Sequence, residues 1–121
     1  MGALVWVGVA ALGGAGALAR FWLDGALSQR TGGAFPYGTL AVNLTGAFAL
    51  GALSVLTVSH TLLLLIGGGF LGSYTTFSTW MFETERLGEQ GRTAGLALNL
   101  FVPLACGLAA AALGRVIGQT L

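Results

Sequence analysis

The sequence predicts an all-α membrane protein, a single domain over residues 1–121 with four transmembrane helices. Three observations predict it. The chain is 55% hydrophobic and only 7% charged, against about 25% charged residues in soluble domains, and its mean hydropathy is +0.86. A water-soluble globule of this make-up would expose large apolar patches and aggregate. Four segments are long enough to cross lipid, which takes about 20 mostly apolar residues. The 21 glycines let helix backbones approach closely where packing, not hydrophobicity, drives association.

The first span runs from about Ala3 to Leu27, with Arg20 and Asp24 near its far end. A signal peptide is not expected over Met1 to Leu18, because no basic residue precedes the apolar run and further spans follow. A polar, glycine-rich connector, Ser28 to Phe35, carries Arg30. The second span opens after Pro36, a residue suited to a first helical position, and ends near Val58 with Asn43 and Thr45 inside it. A short turn around Ser59-His60-Thr61 leads to the third span. That span begins Leu62-Leu63-Leu64-Leu65-Ile66, meets Gly67-Gly68-Gly69, and continues from Thr75 to about Leu87. After the turn Gly88 to Arg92, the fourth span covers Thr93 to Ile117 and contains Pro103. Connections this short make consecutive helices antiparallel neighbours. Four spans place both termini on one side. Arg20, Arg30, Arg86 and Arg92 lie toward the other, which leans the connectors toward the cytoplasm. The bias is weak enough to permit insertion in either direction.

Composition also excludes function classes. All five basic residues are arginine and the net charge is +1, so there is no nucleic-acid footprint. The single Cys106 cannot form an internal disulfide. His60 has no metal-ligating neighbour in sequence. No nucleophile–base pair or metal cluster is visible, so the chain is not expected to be an enzyme.

The third span carries the chemistry. Gly67-Gly68-Gly69-Phe70-Leu71-Gly72 loosens a helix and is followed at once by Ser73-Tyr74-Thr75-Thr76-Phe77-Ser78-Thr79-Trp80. Lipid tolerates open backbone and clustered polar groups only where they face protein or a water-filled path. On a helix, Thr75, Ser78, Thr79 and Phe82 share one stripe; Phe77 and Trp80 share the next, which Glu83 extends. Hydroxyls can donate to an anion, and the edge of an aromatic ring carries partial positive charge. Together they hold an anion weakly, as conduction requires, and a small, hard anion suits them best. The bland alternative for the hydroxyls is back-bonding to helix carbonyls. Asn43 either donates to a permeating anion or bonds another helix; Arg20 either serves the site or snorkels to the interface. Helix contact accounts for Gly68/Gly72 and Gly114/Gly118.

These residues resemble a known family, the Fluc (CrcB) fluoride channels. The resemblance is carried by Gly13-Gly14-Ala15-Gly16-Ala17-Leu18-Ala19-Arg20, by Phe35-Pro36-Tyr37-Gly38-Thr39-Leu40-Ala41-Val42-Asn43-Leu44-Thr45-Gly46, and by Gly68 to Trp80 with Glu83 after it. It implies four-helix subunits, with the third helix broken near its middle, in an antiparallel dual-topology dimer with two fluoride pores and a central sodium ion. It implies pore roles for Asn43, Phe77, Ser78, Thr79, Trp80, Arg20 and Glu83, and backbone carbonyls of Gly72 and Thr75 on sodium. The implied partners are fluoride, sodium, the lipid bilayer of a bacterial inner membrane, and a second copy or a paralogue. Trp80 stands where the family usually has a second phenylalanine; a bulkier ring with an N–H donor either narrows the pore or binds the anion more tightly. Ser73 and Met81 also depart from the family pattern, and the fourth span has no tyrosine.

The expected function is passive fluoride export. Fluoride enters cells as the neutral acid, is trapped as the anion, and is driven out by about 2.3 kcal/mol per 100 mV of inside-negative potential. Two rivals stand beside it: a small dual-topology, proton-coupled exporter of cationic compounds, which needs a mid-span carboxylate, and a non-conducting packing subunit.

Overall fold

A computed structural model describes residues 2–32, 35–56 and 59–121, the Ser78 side chain excepted. Among these residues all regular structure is helical. The elements are α1 (Ala3–Thr31), α2 (Tyr37–Val55), α3 (His60–Leu62), a π-helical segment (Leu63–Leu71), α4 (Gly72–Tyr74), α5 (Phe77–Glu89) and α6 (Thr93–Gly118). Four stretches are long and apolar enough to cross a membrane: Ala3–Thr31, Tyr37–Val55, His60–Glu89 and Thr93–Gly118.

The helix ends follow local chemistry. α1 runs past the expected Leu27, with the Thr31 hydroxyl donating back to the Leu27 carbonyl at 2.9 Å. It stops at Gly32, whose φ of 77° is left-handed and suits a residue without a Cβ. α2 ends at Val55, short of the expected Val58; residues 57 and 58 lie outside the described residues. Ser59 caps α3 by accepting from the Leu62 N–H at 3.1 Å, so His60 and Thr61 belong to the helix rather than the turn. Gly91, with φ 73°, turns the chain between α5 and α6.

The bundle is inside-out relative to a soluble protein. Among the described residues the buried apolar side chains are Val42, Leu53, Leu71 and Leu87, whereas Leu4, Phe21, Trp22 and Leu108 are exposed. What holds the helices is backbone proximity. A Cβ at Gly51 would collide with the Ala111 carbonyl, and one at Gly114 with the Phe48 carbonyl, so α2 and α6 pack directly on each other. A Cβ at Gly16 would strike the Phe70 carbonyl, so α1 presses as closely on the third span. Gly118 belongs to the same contact, where a Cβ would come within 2.7 Å of the Ala52 carbonyl. Gly68 differs: it is exposed, and a Cβ there would meet only Leu64 of its own helix, at 3.8 Å. Gly72 is also exposed. The helix contact expected at Gly68/Gly72 is therefore not made within the chain.

Candidate functional site

Each N–H of an unbroken α-helix bonds the carbonyl four residues back. The glycine run keeps a helical course but shifts its bonding, the Gly72 N–H donating to the Gly67 and Gly69 carbonyls, a π-type pattern of the kind common at functional sites. The backbone leaves helical geometry just beyond it. Thr75 has φ −78°, ψ 155° and Thr76 has φ −146°, ψ 120°. Both are extended, and α5 restarts at Phe77. The hydroxyl stripe expected over Thr75, Ser78 and Thr79 is thus corrected: Thr75 precedes α5 and shares no helical face with it. Its hydroxyl back-bonds to the Leu71 carbonyl at 3.1 Å.

Two polar devices stabilise this departure. Thr76 is the N-cap of α5, its hydroxyl oxygen accepting from the Thr79 N–H at 3.3 Å, which satisfies one of the orphan donors of a new helix start. The Thr76 Oγ1 also meets the Thr79 Oγ1 at 3.2 Å. The second device is Asn43 on α2. Its Oδ1 accepts from the Thr76 N–H at 2.9 Å and its Nδ2 donates to the Thr76 carbonyl at 3.0 Å. One side-chain amide thus replaces both backbone partners of one residue. The Thr76 N–H would have bonded Gly72 in a continuous helix, and the Thr79 N–H would have bonded Thr75. Both carbonyls thereby lose the donor that a helix would have given them.

The rings sit next to this clamp. Phe77 and Trp80 pack edge to face, with centroids 5.6 Å apart and planes at 88°, a favoured aromatic geometry. Phe77 is 68% exposed in the chain, so its ring is not used to pack the fold. Trp80 differs, because its indole N–H donates to the Asn99 carbonyl of α6. Asn99, 1% exposed, returns a bond from Nδ2 to the Thr84 hydroxyl at 2.8 Å, and Thr84 donates to the Trp80 carbonyl at 2.8 Å. Of the two roles left open for this ring, narrowing the pore or binding the anion through its N–H, the second is not the bond made here: the N–H is turned toward α6.

A cavity of about 400 Å³ joins these groups, lined by Asn43, Gly72, Thr75, Thr76, Phe77 and Trp80 together with apolar residues of α2 and α6. A second cavity of about 500 Å³ lies toward the other end of α5, where Glu83 meets Ser28, Arg86, Gln90 and Arg92. Glu83 accepts from the Thr39 hydroxyl at 2.6 Å. The structure therefore separates Glu83 from Phe77 and Asn43. Arg20 and Thr79 line neither cavity; the Arg20 Nε is buried with no hydrogen-bond partner among the described residues. The Ser78 side chain lies outside the described residues. Sequence reasoning missed Thr76, Thr39 and the pairing of Trp80 with Asn99. The signal for the last was legible: Pro103 stands four residues after Asn99 and cannot supply its carbonyl with a donor.

The Thr39–Glu83 bond joins a hydroxyl donor on α2 to a carboxyl oxygen on α5. Thr39 is 3% exposed, so Thr39→Val is expected to cost about 1–3 kcal/mol with the helices otherwise unchanged. Thermal unfolding in detergent measures this, and an unaltered midpoint would mean the bond is not made.

A four-helix membrane domain whose third span bends around a polar clamp beside a lined cavity has the form of a small membrane transport protein. The family model described as CrcB-like protein, Camphor Resistance (CrcB), matches residues 7–115, and the chain belongs to that family. It is 49% identical over 115 residues, 95% of this chain and 91% of the other, to a protein of Mycobacterium bovis named fluoride-specific ion channel FluC 2. A protein of Mycolicibacterium paratuberculosis with the same name is 50% identical over 115 residues, covering 95% and 94% of the two chains. The fluoride-specific ion channel FluC of Acidobacterium capsulatum is 44% identical over 123 residues, covering 97% and 96%.

Proposed function

We propose that this chain is a fluoride-selective channel that lets cytoplasmic fluoride leave the cell passively across the plasma membrane. The observation that carries the reading is the convergence of Asn43, Thr75, Thr76, Phe77 and Trp80 on one cavity of about 400 Å³. Family membership and the printed names of the relatives supply the ion. The Phe77 ring reaches the cavity with most of its surface uncovered, so its electropositive edge is available to an anion. Asn43 has a second amide hydrogen beyond the one given to Thr76, and it also lines the cavity. Among the described residues no fixed cation lines it, which suits an ion that must be released as readily as it is held.

Thr75 and Thr76 are, on this reading, the functional break of the third helix. The sodium reading is supported by the same two residues. The diverted donors of Thr76 and Thr79 leave the Gly72 and Thr75 carbonyls without their helical partners, and carbonyls so released suit a sodium ion. When bound, sodium would supply positive charge where the broken helix gathers carbonyl dipoles. One subunit offers two such carbonyls, so a second copy related by an antiparallel two-fold axis would complete the set. Exposure of Gly68, Gly72 and Phe77 in the single chain supports such a dimer, with itself or with a paralogue.

The test is efflux from liposomes reconstituted with this chain alone, followed with a fluoride electrode. Rapid fluoride loss with chloride retained is expected. Chloride efflux at a comparable rate would defeat the reading, as would proton-coupled uptake of an organic cation or a complete absence of flux.

A further inference from the structure

Pro103 sits inside α6, where a proline removes one helical hydrogen bond. The carbonyl it leaves is that of Asn99, four residues back. That carbonyl is the one bonded by the indole N–H of Trp80. The coincidence is specific: the single helical acceptor orphaned by Pro103 is met by the single side-chain donor of the ring beside Phe77. In lipid an unmet carbonyl is costly, and the donor is supplied across the α5–α6 interface. The Asn99 amide then closes the arrangement through Thr84 and back to the Trp80 carbonyl.

We propose that Trp80 is a positioning residue, whose N–H substitutes for the backbone donor missing at Pro103 and thereby locks the ring against α6, in contact with Phe77, rather than serving as a ligand of the anion. The flux part of this inference rests on the proposed pore role of the two rings; the hydrogen-bond part does not. With the N–H committed, the ring presents carbon edges and faces to the cavity, and its orientation is set by α6 instead of by the permeating ion.

Positions 80 and 103 are therefore exchangeable as donors to this carbonyl. Trp80→Phe deletes the donor and strands the Asn99 carbonyl. Pro103→Ala restores a backbone N–H to the same carbonyl. Four proteins are therefore compared in detergent and in liposomes: the parent chain, W80F, P103A and W80F/P103A. W80F is expected to lower the thermal midpoint by about 5 °C and to slow fluoride efflux about tenfold. In the P103A background the same change is expected to lower the midpoint far less, and the double variant to regain the efflux that W80F lost, although it has no N–H at position 80. If W80F yields no folded protein, recovery of folded protein by the added P103A supports the proposal and failure to recover it overturns it. Equal cost of W80F in both backgrounds overturns it as well. Efflux lost in W80F and still absent in a stable double variant would make the N–H an anion ligand, contrary to the proposal. Coupled midpoints with efflux unchanged in every variant would uphold the hydrogen-bond exchange and remove Trp80 from the pore, which separates this inference from the reading it rests on.

Discussion

Asn43→Ala is expected to abolish fluoride efflux and to destabilise the subunit by about 2–5 kcal/mol. The magnitude follows from what the amide does. It satisfies both the N–H and the carbonyl of Thr76, at a half-buried position inside a span that crosses lipid. Removing it takes away both of these bonds, each contributing about 1–3 kcal/mol where water does not replace it. The least costly escape is for Thr75 and Thr76 to return toward helical bonding. That would rotate α5 relative to the glycine segment and carry Phe77 away from the cavity. Asn43→Asp separates the two roles of the residue. Aspartate keeps the shape and can still accept from the Thr76 N–H, but it cannot donate to the Thr76 carbonyl, and its charge opposes an anion. It is expected to preserve more of the fold than alanine and no more of the flux. Thermal unfolding together with electrode-monitored efflux measures both variants. An alanine variant with full stability would show that the clamp carries no load, and one with full flux would show that the geometry at Thr76 is irrelevant to conduction.

Phe77→Ile is the second large effect, and it is of the opposite kind. The ring is 68% exposed in the subunit and stands at the first turn of α5, so its loss leaves no cavity in the fold. Its one aromatic contact, the edge-to-face pair with Trp80, accounts for about 1 kcal/mol. Isoleucine keeps the apolar bulk and removes the electropositive ring edge. Efflux is expected to fall at least about a hundredfold, equivalent to roughly 3 kcal/mol in the barrier, while size-exclusion behaviour and helix content stay those of the parent. Undiminished flux would remove Phe77 from the conducting path. The contrast between the two variants is the point: Asn43 is needed for shape and flux together, Phe77 for flux alone.

Much of this fold was legible in the sequence, because hydropathy and length decide where helices can cross lipid. The four spans, the Gly114/Gly118 contact and the all-helical class came from local pattern. The position of the departure in the third span did not. Glycines 67 to 69 were expected to loosen the helix, and they shift its bonding register, but it is two threonines beyond them that take the extended backbone. Thr76 does so beside a tertiary partner, the Asn43 amide, which bonds both its N–H and its carbonyl, and no local pattern within the third span contains that information. Asn43 was singled out with two roles open; the structure gives it the helix-bonding one and leaves one amide hydrogen for the other. The single stripe expected for Thr75 and Thr79 failed for the same reason, since a shared face needs a shared helix. Glu83 lies on the same helix as Phe77 but opens into a different cavity, which only the packing of α1, α2 and α5 could decide. For Trp80 two roles stood open, narrowing the pore or binding the anion; its N–H goes to the Asn99 carbonyl, whose helical donor is missing at Pro103 on a distant stretch of sequence.

The most direct test of the central claim is an experimentally determined structure of the protein in lipid, at high resolution and with fluoride present. The account predicts an anion or an ordered water file beside the Phe77 ring edge and the free side of the Asn43 amide, within the cavity shared by α2, α5 and α6. A cavity filled by protein or lipid, with the ring and amide dry and no conduit alongside, would contradict it.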